Sequence, residues 1–181
     1  MIKLGNYKIG EGYPPFIIAE MSGNHNQSLE KALAIVDSAA ESGVHALKIQ
    51  TYTPDTMTID INEGEFHIKD PDSLWVGRSL YDLYGEAHTP WEWHQAIFDR
   101  ARELDLIPFS TPFDNSAVDF LESLDCAFYK IASFENTDLP LIRRVAATGK
   151  PMIISTGMMT IAEMDDTVKA AREAGCKDLV L

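Results

Sequence analysis

The sequence predicts an α/β fold, the N-terminal part of a (β/α)8 TIM barrel with about six strands present, and two features indicate it. Short apolar runs alternate with amphipathic stretches along the 181 residues, as in a parallel sheet covered by helices. Polar residues follow successive runs, as at the rim of a barrel, and the first run lacks the G-x-G-x-x-G turn of a doubly wound sheet. Such a barrel typically takes about 250 residues, so residues 1–181 are expected to be the N-terminal portion of a barrel domain.

The apolar runs place six core strands after a short opening hairpin. Residues 2–4 should pair with 7–9 around Gly5 and Asn6. The core strands are predicted at 16–20, 46–50, 107–111, 128–133, 152–156 and 178–181. Because the last run reaches the final residue, we expect the barrel to continue beyond Leu181, with an unpaired apolar edge in this chain.

Helices separate the strands, and sequence signals predict where several of them begin and end. "TPWE" at 89–92 and "TIAE" at 160–163 both have the Thr-x-x-Glu pattern of a capping box. Asn26 or Ser28 should cap the first helix, and glycines should end three helices, at Gly43, Gly149 and Gly175. The long segment 51–88 is either an elaborated loop over the barrel mouth or a plain surface insertion.

Composition narrows the function classes. The net charge of −13 and a pI of about 4.6 would repel nucleic acid and anionic membranes. No run approaches the roughly 20 apolar residues of a membrane span, and the N-terminus lacks a signal-peptide core, so we expect a cytoplasmic protein. The two cysteines are predicted to be buried free thiols, and the five histidines lack metal-site spacing.

Two lysines at strand ends are the strongest functional signal. Lys48 and Gln50 are two residues apart, so both project from one face of a strand. A lone strand lysine is more often snorkelling or salt-bridged, but a second one, Lys130, strengthens the case for a site. Together with nearby hydroxyl groups they suit a phosphate or carboxylate; these hydroxyls belong to Thr111, Ser133 and Ser155.

Two carboxylates, Glu20 and Glu135, follow strands near these lysines. Each is either a solvated loop residue or, beside an anion site, a group that holds a sugar hydroxyl or moves a proton. From the residues alone, a Schiff-base aldolase, a catalytically dead sugar-phosphate binding module and a purely structural fragment also stay open.

Six blocks of the chain resemble the sialic acid synthase family, and together they cover nearly its whole length. They are "FIIAEMSGNHNQSLEKA", "ALKIQTYTPDTMT", "SLYDLYGEAHTPWEWH", "PFSTPFD", "YKIASFENTDLPLI" and "PMIISTGMMT". The resemblance implies condensation of phosphoenolpyruvate with an N-acetylated amino sugar, in a homodimer whose barrel is followed by an antifreeze-like domain absent from this chain. "AEMSGNHN" and "YDLYGEAHTPWEWH" are most similar to the pseudaminic acid branch, whose sugar is 2,4-diacetamido-2,4,6-trideoxy-L-altrose, and the alternatives are the neuraminate and legionaminate branches.

The resemblance also implies roles for individual residues. Glu135 falls beside the reacting carbons and Glu20 falls with Gln50 where the family holds the sugar, so both glutamates are candidate catalytic residues. The resemblance implies that the phosphate and carboxylate of phosphoenolpyruvate are bound by Lys48, Thr111, Lys130 and Ser133. Ser155 matches a lesser contact. The implied cofactor is Mn or Mg, held by two histidines beyond Leu181, so no metal ligand is expected within this chain.

Overall fold

A curled sheet of six parallel strands forms the centre of the computed structural model, which describes residues 1–181. An antiparallel hairpin precedes it, made of β1 (Ile2–Leu4) and β2 (Tyr7–Ile9). The sheet strands are β3 (Ile18–Glu20), β4 (Ala46–Thr51), β5 (Ile107–Pro112), β6 (Tyr129–Ile131), β7 (Met152–Ile154) and β8 (Leu179–Val180). They lie side by side in sequence order, so β3 and β8 are the two edges and the sheet is not closed. The predicted partial barrel with six core strands is confirmed.

Seven α-helices connect or follow the strands. They are α1 (Leu29–Glu41), α2 (Pro54–Met57), α3 (Leu80–Ala87), α4 (His94–Glu103), α5 (Asn115–Ser123), α6 (Leu139–Ala146) and α7 (Ile161–Glu173). Two 3₁₀ helices, Gly64–Phe66 and Trp91–Trp93, lie between β4 and α4. None of these helices combines the length and the apolarity that a membrane crossing requires.

The two faces of the sheet have different partners. Leu47 and Ile49 are fully buried in the cluster that also contains the inner faces of the helices, whereas Lys48 and Gln50, which alternate with them, line a cavity. This alternation follows from the two-residue period of a strand. The hydrophobic core therefore holds the helices to one face of the sheet and leaves the other face for polar groups.

The helix boundaries confirm most of the predicted signals and correct one. Ser28 caps α1 and Thr160 forms the predicted capping box with Glu163 in α7. The predicted capping box at Thr89 is wrong, because α4 starts at His94 after a 3₁₀ turn and the Thr89 hydroxyl bonds His25 instead. A buried histidine thus competes with the helix for the threonine side chain.

Segment 51–88 covers the mouth of the sheet rather than its outer surface. It contains α2 and α3, and seven of its residues line the cavity: Tyr52, Met57, Trp75, Leu83, Tyr84, Glu86 and Ala87. The two cysteines are free and buried, as predicted. Burial raises the pKa of Cys126 to about 12, so this thiol stays protonated near neutral pH.

Candidate active site

A cavity of about 1090 Å³ lies at the C-terminal ends of the parallel strands. Seven of the eight predicted site residues line it: Glu20, Lys48, Gln50, Thr111, Lys130, Ser133 and Ser155. They come from five neighbouring strands or from the loops that follow them. The parallel arrangement brings together residues that lie up to 135 positions apart in the sequence.

Lys48 is paired with the first of the two glutamates. Its Nζ lies 2.5 Å from Glu20 Oε1, across the register pair that joins β3 to β4. The Lys48 side chain is 11% exposed and that of Glu20 is 51% exposed. An ammonium group this buried needs an anionic partner, and Glu20 fills that role in the absence of another anion.

Lys130 is satisfied by neutral groups only. Its Nζ donates to the carbonyl of Ile131 at 2.9 Å and to Ser155 Oγ at 2.5 Å. Burial, followed by the charge of Lys48, lowers the pKa of Lys130. This lysine therefore has no carboxylate of its own, and the charge of an anion in the cavity would oppose the lowering of its pKa.

Thr111 and Ser133 supply hydroxyl groups to the same cavity. Thr111 lies opposite Gln50 in the sheet, and its buried Oγ1 has no hydrogen-bond partner. A buried hydroxyl without a protein partner is free to bond a polar group that enters the cavity. Ser133 lies so close to Gly157 that a Cβ atom at that glycine would approach Ser133 Oγ to 2.9 Å, so the close contact between the two loops requires glycine.

Glu135 is the one predicted site residue that does not line the cavity. Its Oε2 is buried without a hydrogen-bond partner. Burial raises the pKa of Glu135, and Asp138 adds to the effect while Lys130 opposes it. The carboxyl group is thus held in a partly desolvated position that favours its protonated form.

Asn136 was not predicted from the sequence. Its Nδ2 donates to the carbonyls of Ser155 at 3.1 Å and Gly157 at 2.6 Å, and its own carbonyl accepts from Thr167 at 2.6 Å. These bonds tie the loop after β6 to the loop after β7 and to α7. A polar residue that is buried by its neighbours carries no local sequence signal, because its partners are distant in the chain.

Aromatic residues at the cavity were also missed, although the sequence contained a signal for two of them. Tyr52 continues the two-residue alternation of Lys48 and Gln50, and Phe113 likewise follows Thr111. Extending each strand pattern by one more step would have placed both rings at the cavity.

The loop after β3 forms part of the cavity wall and has an unusual backbone. Ser22, Asn26 and Gln27 have positive φ angles of 52°, 47° and 53°, which cost energy in residues other than glycine. The Gln27 N–H donates to His25 Nδ1 at 3.2 Å, so Nε2 carries the hydrogen that His25 donates to Thr89 Oγ1 at 3.2 Å. Buried His25 therefore holds the loop in place, and burial lowers its pKa.

No group of three or more histidine, cysteine, aspartate or glutamate side chains is arranged to hold a metal ion. The residues of this chain therefore do not by themselves fit the divalent metal that the resemblance implies.

The sequence has curated relatives over nearly its whole length. The chain is 46% identical over 168 residues to a pseudaminic acid synthase of Helicobacter pylori, covering 93% of this chain and 49% of that protein. It is 42% identical over 179 residues to a pseudaminic acid synthase of Campylobacter jejuni, covering 99% of this chain and 51% of that protein. The chain thus spans about half the length of the curated relatives it matches.

A solved structure and a family model complete the comparison. The N-acetylneuraminic acid synthetase of Leptospira borgpetersenii, solved with citrate, superposes with a TM-score of 0.84 at 27% identity, covering 98% of this chain and 57% of that one. The model of the NeuB family matches residues 35–181. On this evidence, the chain belongs to the NeuB family.

Proposed function

We propose that the protein containing this chain condenses phosphoenolpyruvate with 2,4-diacetamido-2,4,6-trideoxy-L-altrose to give pseudaminic acid and phosphate. The observation that carries the proposal is the pair of partly buried lysines at one cavity, beside the unpartnered hydroxyl of Thr111. Phosphoenolpyruvate offers a phosphate and a carboxylate, which is one anionic group for each lysine. The pseudaminic acid synthases among the relatives support the choice of sugar.

Each site residue has a proposed task. Lys130, Thr111 and Ser133 bind the phosphate and carboxylate together with Lys48, and Ser155 orients the Lys130 ammonium group. Glu20 exchanges its contact with Lys48 for a sugar hydroxyl when the anion enters, and Gln50 contacts the same sugar. Fixed ammonium groups in a site that excludes water stabilise charge on a departing phosphate more strongly than they would in water.

The reaction balances when one water molecule is counted as the third reactant, because the C2 ketone takes its oxygen from that water. C3 of phosphoenolpyruvate attacks C1 of the open-chain sugar, which forms a carbon–carbon bond and an alkoxide. Protonated Glu135 donates a proton to that oxygen, and water adds at C2. The C2–O bond to the phosphate then breaks, so the phosphate departs with its bridging oxygen and C2 becomes a ketone. For this role Glu135 must approach the cavity, which it does not line in this structure.

The metal and the dimer belong to the same proposal. A Mn or Mg ion would be held by residues outside this chain, since no suitable cluster lies within it. The whole protein would form a homodimer, and a second domain after the barrel would fit the relatives' length, of which this chain covers about half.

One observation favours a second candidate function, a Schiff-base aldolase. The pKa of Lys130 is lowered by burial and by Lys48, and a neutral lysine is what imine formation with a ketone requires. Borohydride reduction in the presence of pyruvate would attach the substrate covalently to Lys130 in an aldolase, whereas the condensing enzyme would stay unmodified.

The experiment that tests the proposed function follows one labelled oxygen. The intact protein is incubated with the diacetamido sugar and with phosphoenolpyruvate that carries ¹⁸O in the bridging position. We expect sugar-dependent release of phosphate that retains the label, together with a nine-carbon acid of the condensation mass. Phosphate without the label, or release that needs no sugar, would contradict the proposed reaction.

A further inference from the structure

Three rings at the cavity, Tyr52, Tyr84 and Phe113, form one packed group that we call the aromatic wall. The ring centroids of Tyr52 and Tyr84 are 5.9 Å apart at 83°, and those of Tyr52 and Phe113 are 5.3 Å apart at 78°. Both are edge-to-face contacts, which fix the rings relative to one another.

The aromatic wall lies farther along the strands than the lysine layer. Tyr52 comes two residues after Gln50, and Phe113 comes two residues after Thr111, a distance of about 7 Å along an extended chain. Leu83 and Met57 extend the same lining with aliphatic groups. The cavity therefore has an ionic part, suited to an anion, and an apolar part beside it.

Tyr52 adds a polar group to this apolar part. The residue is only 4% exposed, yet its hydroxyl makes no hydrogen bond within the protein, and it lines the cavity. Burial, followed by the neighbouring Tyr84, raises the pKa of Tyr52 to about 12. The neutral phenol can therefore donate one hydrogen bond to a ligand that enters the cavity.

We propose that the aromatic wall is the specificity determinant for the sugar, selecting one with methyl and acetamido substituents over one with free hydroxyl groups. This inference rests on the proposed function. The methyl groups pack on Tyr84 and Phe113, and the Tyr52 hydroxyl donates to an acetamido carbonyl. A hydroxyl group placed against these rings would lose its hydrogen bonds to water without replacement. Each such difference is typically worth about 10- to 200-fold in selectivity.

The test compares two sugars in the intact protein. The diacetamido trideoxy sugar and N-acetylmannosamine are assayed for kcat/KM at saturating phosphoenolpyruvate. N-acetylmannosamine has a hydroxyl group in place of the C4 acetamido group and a hydroxymethyl group in place of the C6 methyl group. Tyr84→Ala opens the aromatic wall, and Tyr52→Phe removes only one hydroxyl. Tyr81→Ala is the matched control, since Tyr81 lies on the same helix but bonds Asp55 and does not line the cavity.

We expect Tyr84→Ala to reduce the preference for the diacetamido sugar by at least about tenfold. Tyr52→Phe should raise the KM for that sugar about tenfold with kcat unchanged, because one hydrogen bond is lost in ground and transition states alike. Calorimetry should give unchanged phosphoenolpyruvate affinity in both variants, and Tyr81→Ala should behave like wild type. If these residues act only in folding, the variants should lose kcat/KM for both sugars and affinity for phosphoenolpyruvate together.

Failure of this inference and failure of the proposed function are distinguishable. If wild type is active and neither variant changes the sugar preference or the KM, the aromatic wall is not the determinant. If wild type releases no phosphate but calorimetry shows that it binds the diacetamido sugar with an affinity that depends on Tyr52 and Tyr84, the reaction is wrong and the specificity assignment stands. If wild type binds neither sugar, both are wrong. If Tyr84→Ala does not fold, Tyr52→Phe decides.

Discussion

Lys48 and Lys130 are in different electrostatic states, although both are partly buried at the same cavity. Lys48 is neutralised by Glu20 at 2.5 Å, whereas Lys130 is held by a carbonyl and a serine hydroxyl and is repelled by Lys48. An entering anion must displace Glu20 to reach Lys48, whereas no carboxylate has to leave Lys130. Lys130 is therefore expected to be the primary anion contact.

Removing either lysine should weaken phosphoenolpyruvate binding. Lys48→Met and Lys130→Met each delete one charge-assisted hydrogen bond, for which the usual cost is about 1.5–3 kcal/mol. The larger loss is expected in Lys130→Met. Isothermal titration measures both, with Lys169→Met as the control because Lys169 is exposed on α7 and pairs with Asp165. Equal affinity in wild type and both cavity variants would remove the anion site.

Glu135→Gln should lower kcat by about 10²- to 10⁴-fold with little change in the sugar KM, because proton donation is needed only in the transition state. Since burial raises the pKa of Glu135, the wild-type kcat should fall as pH rises through that pKa and the acid form is lost. The variant should lack this limb of the pH profile. Full activity in Glu135→Gln would leave Glu135 as a buried carboxyl group without a chemical role.

Glu20→Gln should act on binding instead of chemistry. A sugar hydroxyl contact made equally in ground and transition states changes KM and leaves kcat nearly constant. Loss of a hydrogen bond to a charged group predicts a rise in the sugar KM of about ten- to hundredfold. The same variant should bind phosphoenolpyruvate more tightly, because Lys48 no longer has a competing carboxylate. Weaker binding of phosphoenolpyruvate would show that Glu20 positions Lys48 instead.

The start of helix α7 is fixed by residues that are close together in the sequence. Thr160 accepts from the Glu163 N–H at 3.2 Å, and the Glu163 carboxylate accepts from the Thr160 N–H at 2.7 Å. Both partners lie within four residues, so the sequence alone predicted this helix start. The failed capping box at Thr89 has the same residue pattern, but its threonine is bonded to His25, 64 positions away.

Thr160→Ala should therefore destabilise the chain by about 1 kcal/mol, the usual value of an N-cap side chain. Urea unfolding at neutral pH measures the difference. Thr160→Ser keeps the capping oxygen and is the matched control, expected within a few tenths of a kcal/mol of wild type. An equal loss in both variants would assign the effect to the threonine methyl group rather than to the cap.

The loops after the strands were harder to predict than the strands themselves. Periodicity located all six core strands, but residues 132–133 and 155–156 lie outside β6 and β7, where the predicted strands were too long. Asn136 fixes both loops through bonds to Ser155 and Gly157. The chain leaves the strand geometry to make these contacts, and no property of the residues near Asn136 reveals them.

For the fold as a whole, the sequence predicted the partial barrel, and seven of the eight residues it proposed for the site line the cavity, because parallel strands bring their C-terminal ends to one edge. Strand alternation decided which side chains face the cavity. The position of Glu135 was not predictable in the same way, since it depends on how a five-residue turn folds after β6. The aromatic wall was missed because each ring lies just beyond a strand or on the separate helix α3.

Buried His94 should make the stability of the fold depend on pH. It is fully buried between α4 and the sheet, where Nδ1 donates to the Pro90 carbonyl at 3.1 Å and Nε2 accepts from the Thr51 hydroxyl at 2.9 Å. Burial lowers its pKa from 6.5 to about 4. Between these values the unfolded chain binds a proton that the folded chain excludes. Stability from this group is therefore complete above pH 6.5 and falls as pH decreases toward 4.

The loss should reach about 3 kcal/mol at pH 4, the free energy that corresponds to this difference in pKa. His25, whose pKa is also lowered, adds to the wild-type decline, and Glu135, whose pKa is raised, opposes it. His94→Gln retains a donor and an acceptor but does not titrate, so comparison with wild type isolates the His94 contribution. Urea unfolding from pH 7 to pH 4 should give a shallower decline in the variant, while His67→Gln, at a partly exposed histidine bonded to Asn62, should follow wild type. Parallel pH profiles for wild type and His94→Gln would mean that His94 can be protonated without cost in the folded chain.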